Sequence, residues 1–189
     1  DAGFIPGWGF FGAADWTGSV LVDTLMNLPL LVWATQQGGE DRLMKVVRGQ
    51  ADVTLKHHQR ADGSFYHVYK FDPKTGAPVA GDTYQGLAAE TTWTRGQGWA
   101  IAGLAMLAAM TGEQTYLKAS QRTAARFLDR LPADRIPPWD FDAIGADQPK
   151  DASAGAIVSY GLLRLYALTK DPKYLQASSE MLEALARLC

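Results

Sequence analysis

Cysteine is almost absent: the chain of 189 residues holds one, Cys189. A single thiol cannot close an internal disulfide, so cysteine use neither marks nor excludes an oxidising compartment. Histidine is scarce as well, with three residues and no ligand spacing, so no metal site is expected. Glycine-rich phosphate loops and the strained nucleophile elbow of serine hydrolases are also missing. The most apolar stretch, Trp99 to Met110, is too short to cross a bilayer and carries small residues suited to close helix packing. An excess of one charge is lacking too: the formal net charge is −2, without the basic stripe that a phosphate backbone or an anionic membrane requires. Nucleic acid and membrane are therefore not expected as partners. What the chain does have is 47% hydrophobic residues, enough to bury a real core.

The chain opens on Asp1 and stops inside an apolar helical pattern at Leu188 and Cys189, with no capping glycine. Both ends read as cut, and a leader upstream is left open.

Helical periodicity dominates, in two alternating kinds of segment. Val20 to Thr35, Trp99 to Met110 and Ala152 to Leu168 are apolar almost all round, and a helix without a polar face must be surrounded by protein. The others are striped: Leu43, Val46, Val47, Ala51 and Leu55; Tyr116, Leu117, Ala124, Phe127 and Leu128; Tyr174, Leu175, Met181, Leu182 and Leu185. These predict outer helices, joined to the inner ones by short polar turns at Gln36 to Asp41, Thr111 to Gln114 and Thr169 to Lys173. Each turn is followed by a leucine, Leu43, Leu117 or Leu175, 74 and then 58 residues apart. An αα-hairpin cannot cover its own apolar face, so neighbouring hairpins must pack side by side. The expectation is an all-α protein forming part of an α/α toroid.

Two long links hold the unusual residues. Arg60 to Thr92 strings together turn signals around alternating Phe65, His67, Tyr69 and Phe71, which predicts a short β-hairpin. Pro132 to Asp151 contains Pro137-Pro138-Trp139-Asp140-Phe141-Asp142, which cannot be helical throughout. Links of this length on a rigid scaffold usually carry function.

Asp23 stands among apolar neighbours, so its carboxylate must be paired, protonated or facing a cavity. Desolvation would raise its pKa, as a general acid near neutral pH needs; a structural aspartate bonded to a helix N-terminus fits equally well. Asn27, one helical turn on, would share its face. In Trp93-Thr94-Arg95-Gly96-Gln97-Gly98-Trp99 an arginine lies between tryptophans at the start of a buried helix. Arginine grips carboxylates bidentately and indole faces stack on sugars, while the plain alternative is a helix-start cluster with Glu90 or Asp23 as the partner of Arg95. His67 sits among aromatics, where a histidine is more often structural than catalytic. The adjacent His57 and His58 point about 100° apart on a helix.

Taken in order, the motifs Asp23-Thr24-Leu25-Met26-Asn27-Leu28-Pro29, Asp62-Gly63-Ser64 with His67, Phe71-Asp72-Pro73-Lys74-Thr75-Gly76, Gln85-Gly86, Trp93 to Trp99 and Pro138-Trp139-Asp140-Phe141-Asp142 resemble the unsaturated glucuronyl hydrolases of glycoside hydrolase family 88. The resemblance covers nearly the whole chain beyond its first fifteen or so residues. It implies an (α/α)6 barrel, of which residues 1–189 would be a partial catalytic domain with about three hairpins. It also implies a cytoplasmic enzyme with no cofactor. Its substrate would be an oligosaccharide left by a polysaccharide lyase, bearing a 4,5-unsaturated uronate at the non-reducing end. A carboxylic acid protonates C4 of the double bond, water adds at C5, and the hemiketal opens to release the leaving sugar, unlike the displacement of ordinary glycosidases.

Carried over by motif, the resemblance makes Asp23 the proton donor and places His67, Gln85, Trp93, Arg95 and Trp99 along the substrate site, with Trp8 as the ring-stacking tryptophan. Tyr84 stands where histidine is usual, and Glu90 where aspartate is commoner. The family's second aspartate lies upstream of anything present, and an open half barrel by itself is not expected to be a stable, active enzyme. Rival readings are the sister unsaturated rhamnogalacturonyl hydrolases, a sugar epimerase working through histidines, and a non-catalytic glycan-binding toroid using Trp8, Trp93, Trp99 and Trp139.

Overall fold

A computed structural model describes residues 4–7, 16–145 and 147–188. Three αα-hairpins follow one another along the chain. The first pairs α1 (Leu28–Gln36) with α2 (Arg42–His57), the second α3 (Thr94–Thr111) with α4 (Gln114–Arg130), and the third α5 (Ala152–Thr169) with α6 (Pro172–Leu188). Helices α1, α3 and α5 form the inner row, with α3 between the other two. A small antiparallel sheet has the order β1 (Ser19–Leu21), β2 (Val68–Phe71), β3 (Pro78–Asp82). The architecture is an arc of an α/α toroid, as the segment pattern predicts.

Helix α3 shows why an inner helix carries no polar face. Ala100, Ile101, Ala102, Leu104, Ala105 and Leu107 have no exposed surface, because α1 flanks one side, α5 the other and α4 the back. Glycines permit the close approach. A Cβ on Gly103 would stand 2.8 Å from the backbone of Leu25, and one on Gly161 of α5 would stand 3.0 Å from the Ala102 nitrogen. The outer helices bury one stripe each, through Val47 and Ala51, then Tyr116, Ala124 and Phe127, then Tyr174 and Met181.

The second and third hairpins repeat in detail. Tyr116 and Tyr174, 58 residues apart, are both buried, and one turn later Ser120 and Ser178 donate to the backbone oxygens of Ile101 and Ser159 at 2.8 and 3.0 Å. Gly112 and Lys170 both end their inner helices in the left-handed region, at φ 75° and 60°. The position that recurs inside the core is the tyrosine. Leu175 and Leu182, expected in the stripe, are exposed.

Three further expectations are corrected. Val20 to Thr35 is not one helix: β1 pairs with β2, a 3-10 turn runs Val22–Met26, and α1 starts only at Leu28. Pro29 in the first turn lacks the N–H a continuous helix would need there, and β-branched Val20 and Val22 suit extended backbone. Asn27 consequently does not share a face with Asp23; with three residues per turn the matching position is Met26, and Asn27 is exposed. Nor are all inner helices surrounded. Leu30 and Trp33 on α1, and Tyr160, Leu163 and Leu168 on α5, are exposed, since each of these helices has an inner neighbour on one side only.

The Arg60 to Thr92 link does form the expected hairpin. Asp72 shapes its turn by accepting from the backbone of Lys74 and Thr75 at 2.9 and 2.8 Å, and Gly76 takes φ 72°. Both long links are then tied together by buried Asp140. One of its oxygens accepts from Leu87 N–H and the Thr91 hydroxyl, the other from Thr92 and Asp142 N–H, at 2.8 to 3.1 Å.

Candidate active site

Asp23 lies in the 3-10 turn immediately after β1, where the strand delivers the chain to the core while the helix has not yet begun. A third of its side chain is exposed, yet Oδ2 is sealed from solvent and accepts no hydrogen bond from the described residues. Burial pushes its pKa up to about 6, against the pull of its own backbone amide and of the Arg95 charge. The acid is therefore protonated about two pH units higher than an ordinary aspartate.

His67, in the residue before β2, is fully enclosed and points Nε2 at Asp23 Oδ2 across 3.7 Å. The other ring nitrogen is held from the loop after β3. Nδ1 accepts from the backbone N–H of Tyr84 and Gln85 at 3.1 and 3.3 Å and lies 3.2 Å from the Thr83 hydroxyl. Burial pushes His67 down to about 4, opposed by the Asp82 carboxylate. It is thus neutral above that pH.

Trp93, buried at the start of α3, packs its ring against His67 with centroids 4.3 Å apart. Arg95 reaches over the same indole, its guanidinium carbon 5.4 Å from the ring centre. One turn further along α3, Trp99 shares the Arg95 side of the helix and is partly exposed. Gln85 is fixed by its backbone: its N–H faces His67, and its carbonyl accepts from the Trp139 indole at 2.7 Å. Asp23, His67, Gln85, Trp93 and Arg95 thus come together from the turn after β1, the residue before β2, the loop after β3 and the start of α3. Trp8 lies outside the described residues.

The partner of Arg95 is neither Glu90 nor Asp23. Asp151 Oδ2 accepts from Arg95 Nε at 3.1 Å and lies 3.0 Å from Nη2, while Glu90 accepts from the Tyr66 hydroxyl. Asp151 also caps α5, its Oδ1 accepting from Ala154 N–H and from the Ser153 hydroxyl. These hydrogen bonds and the Arg95 charge outweigh burial and hold its pKa below the usual carboxylate range. Beside this pair opens a cleft of about 600 Å³, lined by Arg95, Trp139, Lys150, Asp151 and Ser153 among others. Sequence reasoning missed Asp151, whose signal is only that of a capping aspartate before Ala-Ser-Ala. Gln97 was missed as well. Buried on α3, it donates to Phe65 O and Trp93 O and accepts from Phe65 N–H, clamping the segment before His67 to the helix that carries Arg95.

Among the described residues no cluster of His, Cys, Asp and Glu could hold a metal ion, and no helix is long and apolar enough to cross a membrane. The arrangement offers a proton donor of raised pKa beside a neutral imidazole, with an anchored cation and indole rings a short way off. A carboxyl group so placed can act as a general acid, and a guanidinium so held can pair with an anion.

The chain is similar to known proteins in sequence and in fold. The sequence pattern of Glycosyl Hydrolase Family 88 matches residues 8–136. The unsaturated glucuronyl hydrolase of Bacillus sp. (strain GL1) is 39% identical over 168 residues, which is 87% of this chain and 44% of that protein. The unsaturated chondroitin disaccharide hydrolase of Streptococcus pyogenes serotype M1 is 33% identical over 98% of this chain and 48% of its own length. The crystal structure of the Bacillus sp. GL1 enzyme superposes with a TM-score of 0.92 at 36% identity, covering 97% of this chain and 50% of that one. The chain spans about half the length of the relatives it matches. Sequence pattern, relatives and fold all place it in glycoside hydrolase family 88.

Proposed function

We propose that the whole protein removes a 4,5-unsaturated glucuronyl residue from the non-reducing end of lyase-generated oligosaccharides, and that residues 1–189 supply three of the six hairpins of its catalytic barrel. Relatives named for this activity, each matched over about half its length, support both parts. The names of these relatives favour this reading over the sister rhamnogalacturonyl hydrolases. A purely glycan-binding toroid would have no use for the observation that carries the proposal: a carboxyl group, Asp23, with its pKa raised to about 6 beside a neutral histidine.

In this reading the protonated Asp23 carboxyl gives its hydrogen to C4 of the vinyl ether, and positive charge develops on C5 and the ring oxygen. Water adds to C5 and its surplus proton goes to the Asp23 carboxylate, restoring the acid. The hemiketal so formed opens as the bond from C5 to the ring oxygen breaks: C5 becomes a ketone and its hydroxyl proton passes to the ring oxygen. C1 is then a hemiacetal, which collapses to an aldehyde as the bond to the leaving sugar breaks and that sugar's oxygen takes up the hydroxyl proton. Arg95, held by Asp151, suits the uronate carboxylate; Gln85 suits its hydroxyls; Trp99 and Trp8 suit the apolar face of the ring, and buried Trp93 suits the substrate site as the backing of His67 and Arg95. Proton transfer needs neither metal nor nucleotide.

The experiment is a comparison of substrates for the full-length protein. Lyase-generated unsaturated disaccharides should lose their ultraviolet absorbance, since hydration destroys the conjugated double bond, while saturated glucuronides remain intact. Equal cleavage of both would overturn the hydration reading.

A further inference from the structure

His67 is buried at the side of Asp23, and its Nδ1 is surrounded by three hydrogen-bond donors from one short segment. The Thr83 hydroxyl lies 3.2 Å away, Tyr84 N–H 3.1 Å and Gln85 N–H 3.3 Å. The Thr83 hydroxyl oxygen also accepts from Gly86 N–H at 2.8 Å, which directs its own hydrogen toward the imidazole. A nitrogen that accepts from three donors cannot itself carry hydrogen without bringing like dipoles head to head. The hydrogen of the neutral ring therefore sits on Nε2, the nitrogen 3.7 Å from Asp23 Oδ2.

Resting on the reading of Asp23 as proton donor, we propose that Thr83, with the amides of Tyr84 and Gln85, is a positioning device that fixes His67 as the neutral tautomer with hydrogen on Nε2. Asp23 then faces an N–H dipole and not a full positive charge. The distinction matters because a cationic imidazole this close would favour the carboxylate and remove the acid at working pH. A neutral N–H leaves the carboxyl protonated, and can close on Oδ2 once the proton has left. Other charges around the pair do not supply this control. Asp82, which favours a charged His67, is neutralised by Lys70 at 2.5 Å; His58 disfavours that charge; the Arg95 charge lowers the pKa of Asp23 and so does not keep the carboxyl protonated. The Thr83 segment is itself anchored, through Gly86 and through Leu87 N–H bonding to buried Asp140.

Thr83→Val keeps the branched shape and removes the hydroxyl, and Thr83→Ser restores it. The test is nuclear magnetic resonance of the unliganded full-length protein, reading the two His67 ring nitrogens and the Asp23 carboxyl carbon against pH. The native protein should show hydrogen on Nε2 at pH 7. In Thr83→Val, His67 should titrate at higher pH and Asp23 should move from about 6 toward the ordinary carboxylate range, with Thr83→Ser behaving as the native protein. Native His67 with hydrogen on Nδ1, or a folded Thr83→Val with both titrations unmoved, overturns the proposal. These spectra are independent of turnover. A protein that shows them yet hydrates no unsaturated glucuronide sinks the functional reading and leaves the lock standing, whereas an active enzyme with hydrogen on Nδ1 sinks the lock alone.

Discussion

Asp23 and His67 face each other across 3.7 Å, and burial pushes the two in opposite directions, holding the imidazole neutral down to about 4 and the carboxyl protonated up to about 6. The acid form is the reactive one, and it disappears as pH rises through that value. For the full-length enzyme kcat/KM should therefore fall about tenfold per pH unit above pH 6. A pH profile on an unsaturated disaccharide checks it, and a kcat/KM that climbs between pH 6 and 8 would contradict it.

His58 gives a stability prediction of opposite sign. Fully buried and donating Nε2–H to Val20 O at 3.0 Å, it has its pKa pushed from 6.5 down to about 4, chiefly by burial. The unfolded chain binds a proton there below pH 6.5 and the folded one does not, so stability is complete above pH 6.5 and is lost as pH falls toward 4. The loss amounts to about 3 kcal/mol. Asp23 works the other way, its raised pKa lowering stability as pH climbs from 3.8 through 6. Urea unfolding at several pH values should show a smaller acid-induced loss for His58→Gln, which keeps a donor for Val20 O but cannot ionise.

These relationships were unequally legible in the sequence. The hairpins could be read because helical periodicity is local, and the Asp72 turn because its residues are neighbours. Strand β1 could not: Ser19-Val20-Leu21 becomes extended only by pairing with residues 68–70, and beside Val22 to Leu31 it looks like the start of an apolar helix. Arg95 was recognisable as a cation at the start of a buried helix that needs a partner. Its identity was not, since Asp151 lies 56 residues on and reaches it only when α5 packs against α3.

Asp151 therefore combines a structural and an orienting task that substitution can separate. Asp151→Asn keeps a capping oxygen for Ala154 N–H, and asparagine caps helices about as well as aspartate, so thermal stability should change by under about 1 kcal/mol. Without the charge Arg95 is no longer held. If it binds the uronate carboxylate in both ground and transition states, KM should rise roughly tenfold or more with kcat much less affected. A variant with native KM would show that Asp151 is only a cap.

Gly103→Ala tests the packing that brings the 3-10 turn against α3. Alanine favours a helix by about 1 kcal/mol, but its Cβ would stand 2.8 Å from the Leu25 backbone, which cannot move aside like a side chain end. Overpacking of this kind costs about 1–3 kcal/mol, so the variant should be less stable in urea, and displacement of Leu25 should carry Asp23 with it and lower turnover. A more stable, fully active variant would show the contact to be looser than described.

The most direct test of the central claim is Asp23→Asn in the full-length protein. The substitution preserves size and polarity while removing the group that gives and takes a proton. With Arg95, Trp93 and His67 in place, an unsaturated disaccharide should bind with near-native affinity by calorimetry. The rate of ultraviolet absorbance loss should fall by about 10² to 10⁴-fold. Near-native turnover in Asp23→Asn would contradict the assignment of Asp23 as the acid, and with it the account of how this site works.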